Sequence, residues 1–127
     1  MDVTRVSSCI FCELDRPTIA ESVLSIAFFD RFPVSRGHAL VVPKRHVVTV
    51  WELSEDEYAD TFALVREVKN VLYTLYKPDG FNVGVNSGEA AGQSVWHAHI
   101  HVIPRYAADV PNPRGGVRNI IPGKGNY

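Results

Sequence analysis

The sequence predicts an α+β fold: a mostly antiparallel sheet with one long helix on a face. Three observations predict it. Short apolar and aromatic runs outnumber helical stretches. Only Ser54 to Tyr76 carries a long helical period. The strand candidates are not interleaved with repeated helical crossovers, as a parallel sheet would require.

Taken in order, residues 1–20 read as irregular, with a turn near Asp15-Arg16-Pro17. Ser25 to Asp30 reads as a strand, short and apolar with two aromatics. Pro33 and Gly37 punctuate a loop, and His38 to Val42 is a second strand ended by Pro43. The short connection suggests a hairpin. In the helix, Ser54 and Glu57 have capping-box spacing, and Glu55, Asp56 and Glu57 suit the positive end of the dipole. Thr61, Leu64, Val65, Val68, Val71, Leu72 and Leu75 form an apolar stripe that reads as core. Pro78-Asp79-Gly80 stops the helix and turns the chain. Phe81 to Val85 is a third strand, residues 86–94 a loop of small residues, and Trp96 to Ile103 a fourth strand ended by Pro104. The Pro- and Gly-rich stretch after Tyr106 is either a mobile end or a flap over a site or partner, and its composition favours the mobile end. The expected organisation is one domain over 1–127, with its core at 9–105 and a tail at 106–127.

Composition excludes several classes. A hydrophobic fraction of 46% against 21% charged residues is globular, not disordered. A net charge of −1 argues against a binder of nucleic-acid polymers. The apolar runs are too short for a membrane span. Two cysteines make no disulfide framework, and Met1 to Arg16 has no apolar signal region. The expected location is the cytoplasm.

His97, His99 and His101 carry the chemistry. In a strand they share one face, with Ala98, Ile100 and Val102 on the other against the core. A row of imidazoles is a functional-site candidate, because solvent faces normally use other polar residues. At ~3.3 Å per residue, the outer two Cα atoms of a straight strand lie ~13 Å apart, too far to share one ion with metal–nitrogen bonds of ~2 Å. Nucleophilic catalysis fits better: a neutral imidazole attacks phosphorus when its other nitrogen is held as a donor. Gly88 and Gly92 would let backbone N–H groups approach an anion, and Asn86, Gln93 and Ser94 add donors. The loop is not a Walker loop, lacking its Gly-Lys-Ser/Thr ending.

The segment Gly92-Gln93-Ser94-Val95-Trp96-His97-Ala98-His99-Ile100-His101-Val102-Ile103 resembles the signature of the histidine-triad family, His-φ-His-φ-His-φ-φ with φ apolar. Phe28-Phe29-Asp30 and Gly37 to His46 resemble further family segments, so the likeness runs from about Cys9 to Arg105. It implies a five-stranded, mostly antiparallel sheet with one long helix plus a short helical segment, and a homodimer joining two sheets. It also implies a nucleotidyl hydrolase or transferase acting at the α-phosphate of AMP or a similar nucleoside monophosphate joined to a leaving group. His99 would be the nucleophile and form a nucleotidyl-histidine intermediate. His101 would contact phosphate or the leaving group, and His97 would orient His99 or ligate a metal. Asn86, Gln93 and Ser94 would hold phosphate oxygens, Asp30 would accept the ribose hydroxyls, and His38 matches a fourth histidine near the site. Fixed donors and an imidazolium can stabilise the transferring group, so no Mg²⁺ requirement is expected. The substrate is either an adenosine phosphoramidate or a dinucleoside polyphosphate. Gln93-Ser94-Val95 suits the first; Val102 to Arg105 and the tail suit the second, toward which the balance leans.

Cys9-Ile10-Phe11-Cys12 reads as a redox motif, two buried thiols or half of a zinc site, the last being favoured. The family likeness supplies His46 and His97 as the other two ligands of a structural zinc. Trp51 reads as a packing residue. Trp96, by alternation from His97, reads as core or dimer interface. Tyr58, Tyr73 and Tyr76 read as core or interface edges. Phe11 or Phe28 would stack on a base, and Arg105 contacts phosphate or caps its strand. Two other classes compete with the enzyme: a nucleotide-binding regulator with little turnover, and a metal-dependent enzyme using His99 and His101 as ligands.

Overall fold

A computed structural model of the protein describes residues 9–12 and 16–125. Asp15 of the expected first turn lies outside the described residues. The chain forms β1 (Thr18–Glu21), β2 (Ser25–Phe29), β3 (Ala39–Pro43), α1 (Glu55–Tyr76), β4 (Gly80–Gly84) and β5 (Ile100–Arg105). Short 3-10 turns cover Val50–Glu52, Glu89–Ala91 and Gly116–Ile120. The five strands pair in the order β1-β2-β3-β5-β4, each pair antiparallel.

The helix begins as its sequence dictates. The Ser54 hydroxyl accepts the Glu57 N–H, and the Glu57 carboxylate accepts the Ser54 N–H. It ends at Lys77, whose φ of 51° places it in the left-handed region. Leu64, Val65, Val68 and Leu72 are buried with Ala27, Ala39, Val41, Ile100 and Val102. Each large apolar side chain so buried contributes about 1.5–3 kcal/mol. Leu75 departs from the expected stripe and is exposed, as is Tyr73. Tyr76 instead turns toward the sheet and meets Phe29 edge-on at 6.3 Å.

The opposite face of the sheet carries a second cluster: Phe11, Ile26, Phe28, Leu40 and Val42. Strand alternation sends one set of residues to the helix and this set to the other side. The candidate site lies over this second face.

Three expectations need correction. Residues 18–21 form a strand rather than irregular chain, because Ile19 and Ala20 can pack against the helix-side core. The fourth sequence strand begins at Ile100, not Trp96, since residues 95–97 bend and the Ala98 N–H is taken by the Val47 carbonyl. It also runs through Pro104 to Arg105. Beyond Val102 it has β4 as its ladder partner but no longer β3, so a residue without an N–H is tolerated. Trp51 is 70% exposed and packs no core; Trp96, read as core or dimer interface, is 47% exposed and so is not core. Among the described residues, no helix is long and apolar enough to cross a membrane.

The tail is more anchored than its composition suggests. Arg105 pairs bidentately with Asp109 and donates to Asn82. Ala107 N–H donates to Asp79, and the Tyr106 hydroxyl to the Arg36 carbonyl. Arg105 thus ties the tail to the sheet.

Candidate active site

A cavity of about 320 Å³ opens over the second face. His99, His101, Asp30, Asn86, Ser94 and Phe11 help to line it. Leu40 of β3 and His101 of β5 stand directly across from each other in the ladder, so the sheet register itself places His101 at the cavity. The loop of residues 86–94 brings Asn86 and Ser94 to one wall.

The three histidines do not form one row. The bend before Ala98 sends His97 away from the cavity, into a cluster with Cys9, Cys12 and His46. His97 Nε2 donates to the Pro43 carbonyl at 2.8 Å, which leaves its Nδ1 with a lone pair. That Nδ1 lies 3.5 Å from each cysteine sulfur and 3.1 Å from His46 Nδ1. His46 Nδ1 is 3.3 Å from Cys12 Sγ. Four-coordinate zinc, with bonds of ~2.05 Å to nitrogen and ~2.3 Å to sulfur, requires edges of about 3.3 Å between nitrogens and about 3.6 Å between nitrogen and sulfur. The donor set and its spacing fit such an ion, and the carbonyl behind His97 is the usual outer support. These four residues could hold a metal ion.

His99 is buried, and its Nδ1–H donates to the His97 carbonyl at 2.8 Å. That bond fixes the tautomer and leaves the lone pair on Nε2. Phe11 packs edge-on against the His99 ring at 5.1 Å. Thus His97 orients His99 through its backbone, while its ring serves the cysteine cluster.

His38 and His101 form a dyad, with His38 Nε2 2.9 Å from His101 Nδ1. The Val34 N–H donates to His38 Nδ1, so His38 must carry its proton on Nε2. That proton goes to His101 Nδ1, leaving His101 with an Nε2–H. Asp30 stands 3.5 Å from His38 Nε2 and accepts the Phe32 N–H. Burial lowers the pKa of His101 to about 4, helped by the neighbouring His99 and His38 and opposed by Asp30. Burial also lowers that of His38, with Asp30 opposing. Both imidazoles are therefore neutral at pH 7.

Gln93 departs from its expected role. Its side chain is buried, its carbonyl oxygen accepts the Gly88 N–H, and its amide donates to the Val48 and Val95 carbonyls. Both amide protons are committed, so Gln93 shapes the loop instead of presenting donors to an anion. The N–H groups of Gly88, Gly92 and Gln93 are likewise bonded inside the loop. Of the three side chains expected to hold phosphate, Ser94 and Asn86 are the two that line the cavity. Phe28 is 1% exposed, Arg16 covers its ring and it does not line the cavity, so of the two expected aromatics Phe11 is the one at the cavity wall, where Phe32 joins it.

Sequence reasoning missed two features. Arg16 belongs to the cavity wall but reads in sequence as a turn residue. A second cavity of about 250 Å³ adjoins His101 and Asn86, walled by Val34, Val83, Ile103 and the tail residue Val117. A valine in a Pro- and Gly-rich tail gives no signal of that contact.

Comparison with known proteins agrees with this geometry. The family model described as the HIT domain matches residues 12–108. The adenosine 5'-monophosphoramidase hnt1 of Schizosaccharomyces pombe is 44% identical over 103 residues, covering 77% of this chain and 74% of that protein. The crystal structure of SMU.412c from Streptococcus mutans UA159 superposes with a TM-score of 0.78 at 35% identity, over 87% of this chain and 73% of that one. A zinc-bound histidine triad family protein from Mycobacterium smegmatis matches with a TM-score of 0.72 at 35% identity, over 80% of this chain and 78% of that one. With the triad motif, the five-stranded sheet and these likenesses in agreement, the chain belongs to the histidine-triad, or HIT domain, family.

Proposed function

We propose that the protein is a hydrolase or transferase that cleaves a nucleoside monophosphate conjugate at its α-phosphorus through a nucleotidyl-histidine intermediate. The observation that carries this reading is the His99 Nδ1–H bond to the His97 carbonyl, which leaves Nε2 as the nucleophilic atom of a cavity-lining imidazole. Nε2 attacks phosphorus, a P–N bond forms and the bond to the leaving group breaks. The positive charge that develops on the ring is stabilised by the same carbonyl. Water then breaks the P–N bond, releasing the monophosphate and restoring His99. His101 presents its Nε2–H to a phosphate oxygen or the leaving atom. Ser94 and Asn86 donate to phosphate, and Asp30 accepts from the ribose hydroxyls.

The leaving group is best accommodated as an amine of low charge. Among the described residues that wall the second cavity, on the Val117 side of His101, there is no Lys or Arg, and four are aliphatic. A polyphosphate leaving group would bring several negative charges to that wall without cations to meet them. This favours a phosphoramidate over the dinucleoside polyphosphate toward which the sequence leaned. The name of the Schizosaccharomyces pombe relative supports the same choice.

Cys9, Cys12, His46 and His97 would hold a structural zinc, as the zinc-bound relative supports. Such an ion would supply cross-linking, tying the N-terminal segment to the Pro43 end of β3. The homodimer remains part of this reading, with the open edge of β4 available to a second sheet.

The test is release of nucleoside monophosphate from a nucleoside phosphoramidate and from a dinucleoside polyphosphate by wild type and His99→Ala. Release from the phosphoramidate that falls by a factor of about 10³ or more in the variant supports the reading. Retention of several per cent of activity in His99→Ala removes the nucleophile assignment. Binding without release from either conjugate points to the regulatory protein instead.

A further inference from the structure

Arg16 and Arg31 are the charged side chains of the catalytic cavity for which attack, phosphate contact and ribose contact give no role, and Arg16 is the less exposed of the two. It stands just before Pro17 and β1, and its guanidinium carbon lies 4.5 Å from the centroid of the buried Phe28 ring. One terminal nitrogen reaches the Phe29 carbonyl at 3.5 Å, the long limit of a hydrogen bond. Its Nε is buried and has no hydrogen-bond partner among the described residues. Burial and the like charge of Arg31 both disfavour the cation, with Asp30 partly offsetting them. An unmatched buried donor on a cation held in a cavity wall calls for an acceptor from a ligand.

The position of Arg16 indicates which part of a ligand would supply it. His99 marks the reacting phosphorus, with Ser94 and Asn86 beside it. Asp30 marks the ribose. Arg16 lies over Phe28, two residues before Asp30 on the same edge of the second face, and shares the cavity wall with Ile10 and Phe11. A nucleoside whose ribose met Asp30 would have its base within reach of that wall.

We propose that Arg16 reads the nucleobase and selects purines with a carbonyl at C6, guanine or hypoxanthine, over adenine. The inference rests on the reading of the cavity as a nucleotide site. A guanidinium offers donors only. Guanine and hypoxanthine turn two adjacent acceptors, O6 and N7, toward such a fork, whereas adenine sets an N6 amino donor beside N7. The mismatch leaves adenine facing donor to donor in a partly buried wall.

The experiment is calorimetric binding of GMP, IMP and AMP to the full chain, as wild type, Arg16→Leu and Arg16→Lys. IMP isolates O6 and N7 from the guanine 2-amino group. Wild type is expected to bind GMP and IMP about 5- to 100-fold more tightly than AMP. In Arg16→Leu the ratio should fall to within about threefold of unity, and Arg16→Lys should lose most of it because an ammonium has no planar fork. If Arg16→Leu does not fold, Arg16→Lys decides alone. Equal affinities in wild type overturn the proposal, as does a preference that survives both substitutions. A preference dependent on Arg16 in a protein that turns over no conjugate would keep the base reading and sink the hydrolase. Failure to bind any of the three nucleotides would overturn both.

Discussion

His97 and His99 are joined by one hydrogen bond, from the His99 ring to the His97 backbone carbonyl, at 2.8 Å. The same residue that orients the His99 ring through its backbone gives its own ring to the cysteine cluster, with the Pro43 carbonyl at its back. The orientation of His99 is therefore coupled to whatever holds the His97 ring in place.

Metal content follows from that coupling. The isolated wild type is expected to carry about one zinc per chain, the stoichiometry of a closed four-ligand site. Cys12→Ser should lose most of it and lower the melting temperature in the same step. Elemental analysis of protein purified without added zinc checks this; less than a tenth of an equivalent in wild type contradicts it.

Gln93 gives a sharper distinction. Its removal leaves the Gly88 N–H and the Val48 and Val95 carbonyls without their partner. Gln93→Ala should lower stability to urea by about 1–3 kcal/mol and lower kcat as the loop carrying Ser94 loosens. A raised KM with unchanged stability would instead mean that the amide binds phosphate.

Asp30→Ala should weaken nucleoside binding more than the chemical step. Loss of a charged hydrogen bond to the ribose is worth about 1.5–3 kcal/mol, or roughly ten- to a hundredfold in KM. Steady-state kinetics separates the terms, and an effect confined to kcat would contradict the ribose role.

His101 makes a prediction about acid stability. Its pKa is lowered in the folded protein to about 4, because burial disfavours the cation. Between that value and the ordinary 6.5, the unfolded chain binds more protons than the folded one, so this group's contribution is full above 6.5 and falls as pH drops toward 4. The melting temperature of His101→Gln should therefore depend less on pH across that window than wild type does. Parallel pH dependences would show that His101 does not titrate as its burial demands.

Glu57 acts in a lower window. Arg45 pairs with it bidentately and Ser54 caps through it, which holds its pKa down at about 2. Its stabilisation is complete above about 4.5 and fades as pH falls toward 2. Glu57→Gln should cost about 1–2 kcal/mol at pH 7 by chemical denaturation, the range of a lost cap with a partly exposed ion pair. The gap to wild type should narrow on acidification; a gap constant down to pH 2 would exclude the ion pair as its source.

The sequence by itself determined the features that depend on local order. The helix over Ser54 to Tyr76 follows from its capping pair and period, and β2 and β3 follow from short apolar runs ended by turn residues. Ala98, Ile100 and Val102 are buried as alternation requires. The triad spelling was enough to identify the family and nominate His99. Only the tertiary structure decided which partner each polar group meets. It bent the chain at His97 and divided one row of histidines between the cysteine cluster and the cavity. It enclosed the Gln93 amide and set Arg16 over Phe28, while Val117 was brought from the tail to the wall beside His101. The physical reason is range: periodicity and caps act within a few residues, but a hydrogen bond such as His97 to Pro43, or a wall such as Phe28 under Arg16, exists only after strands distant in sequence have paired.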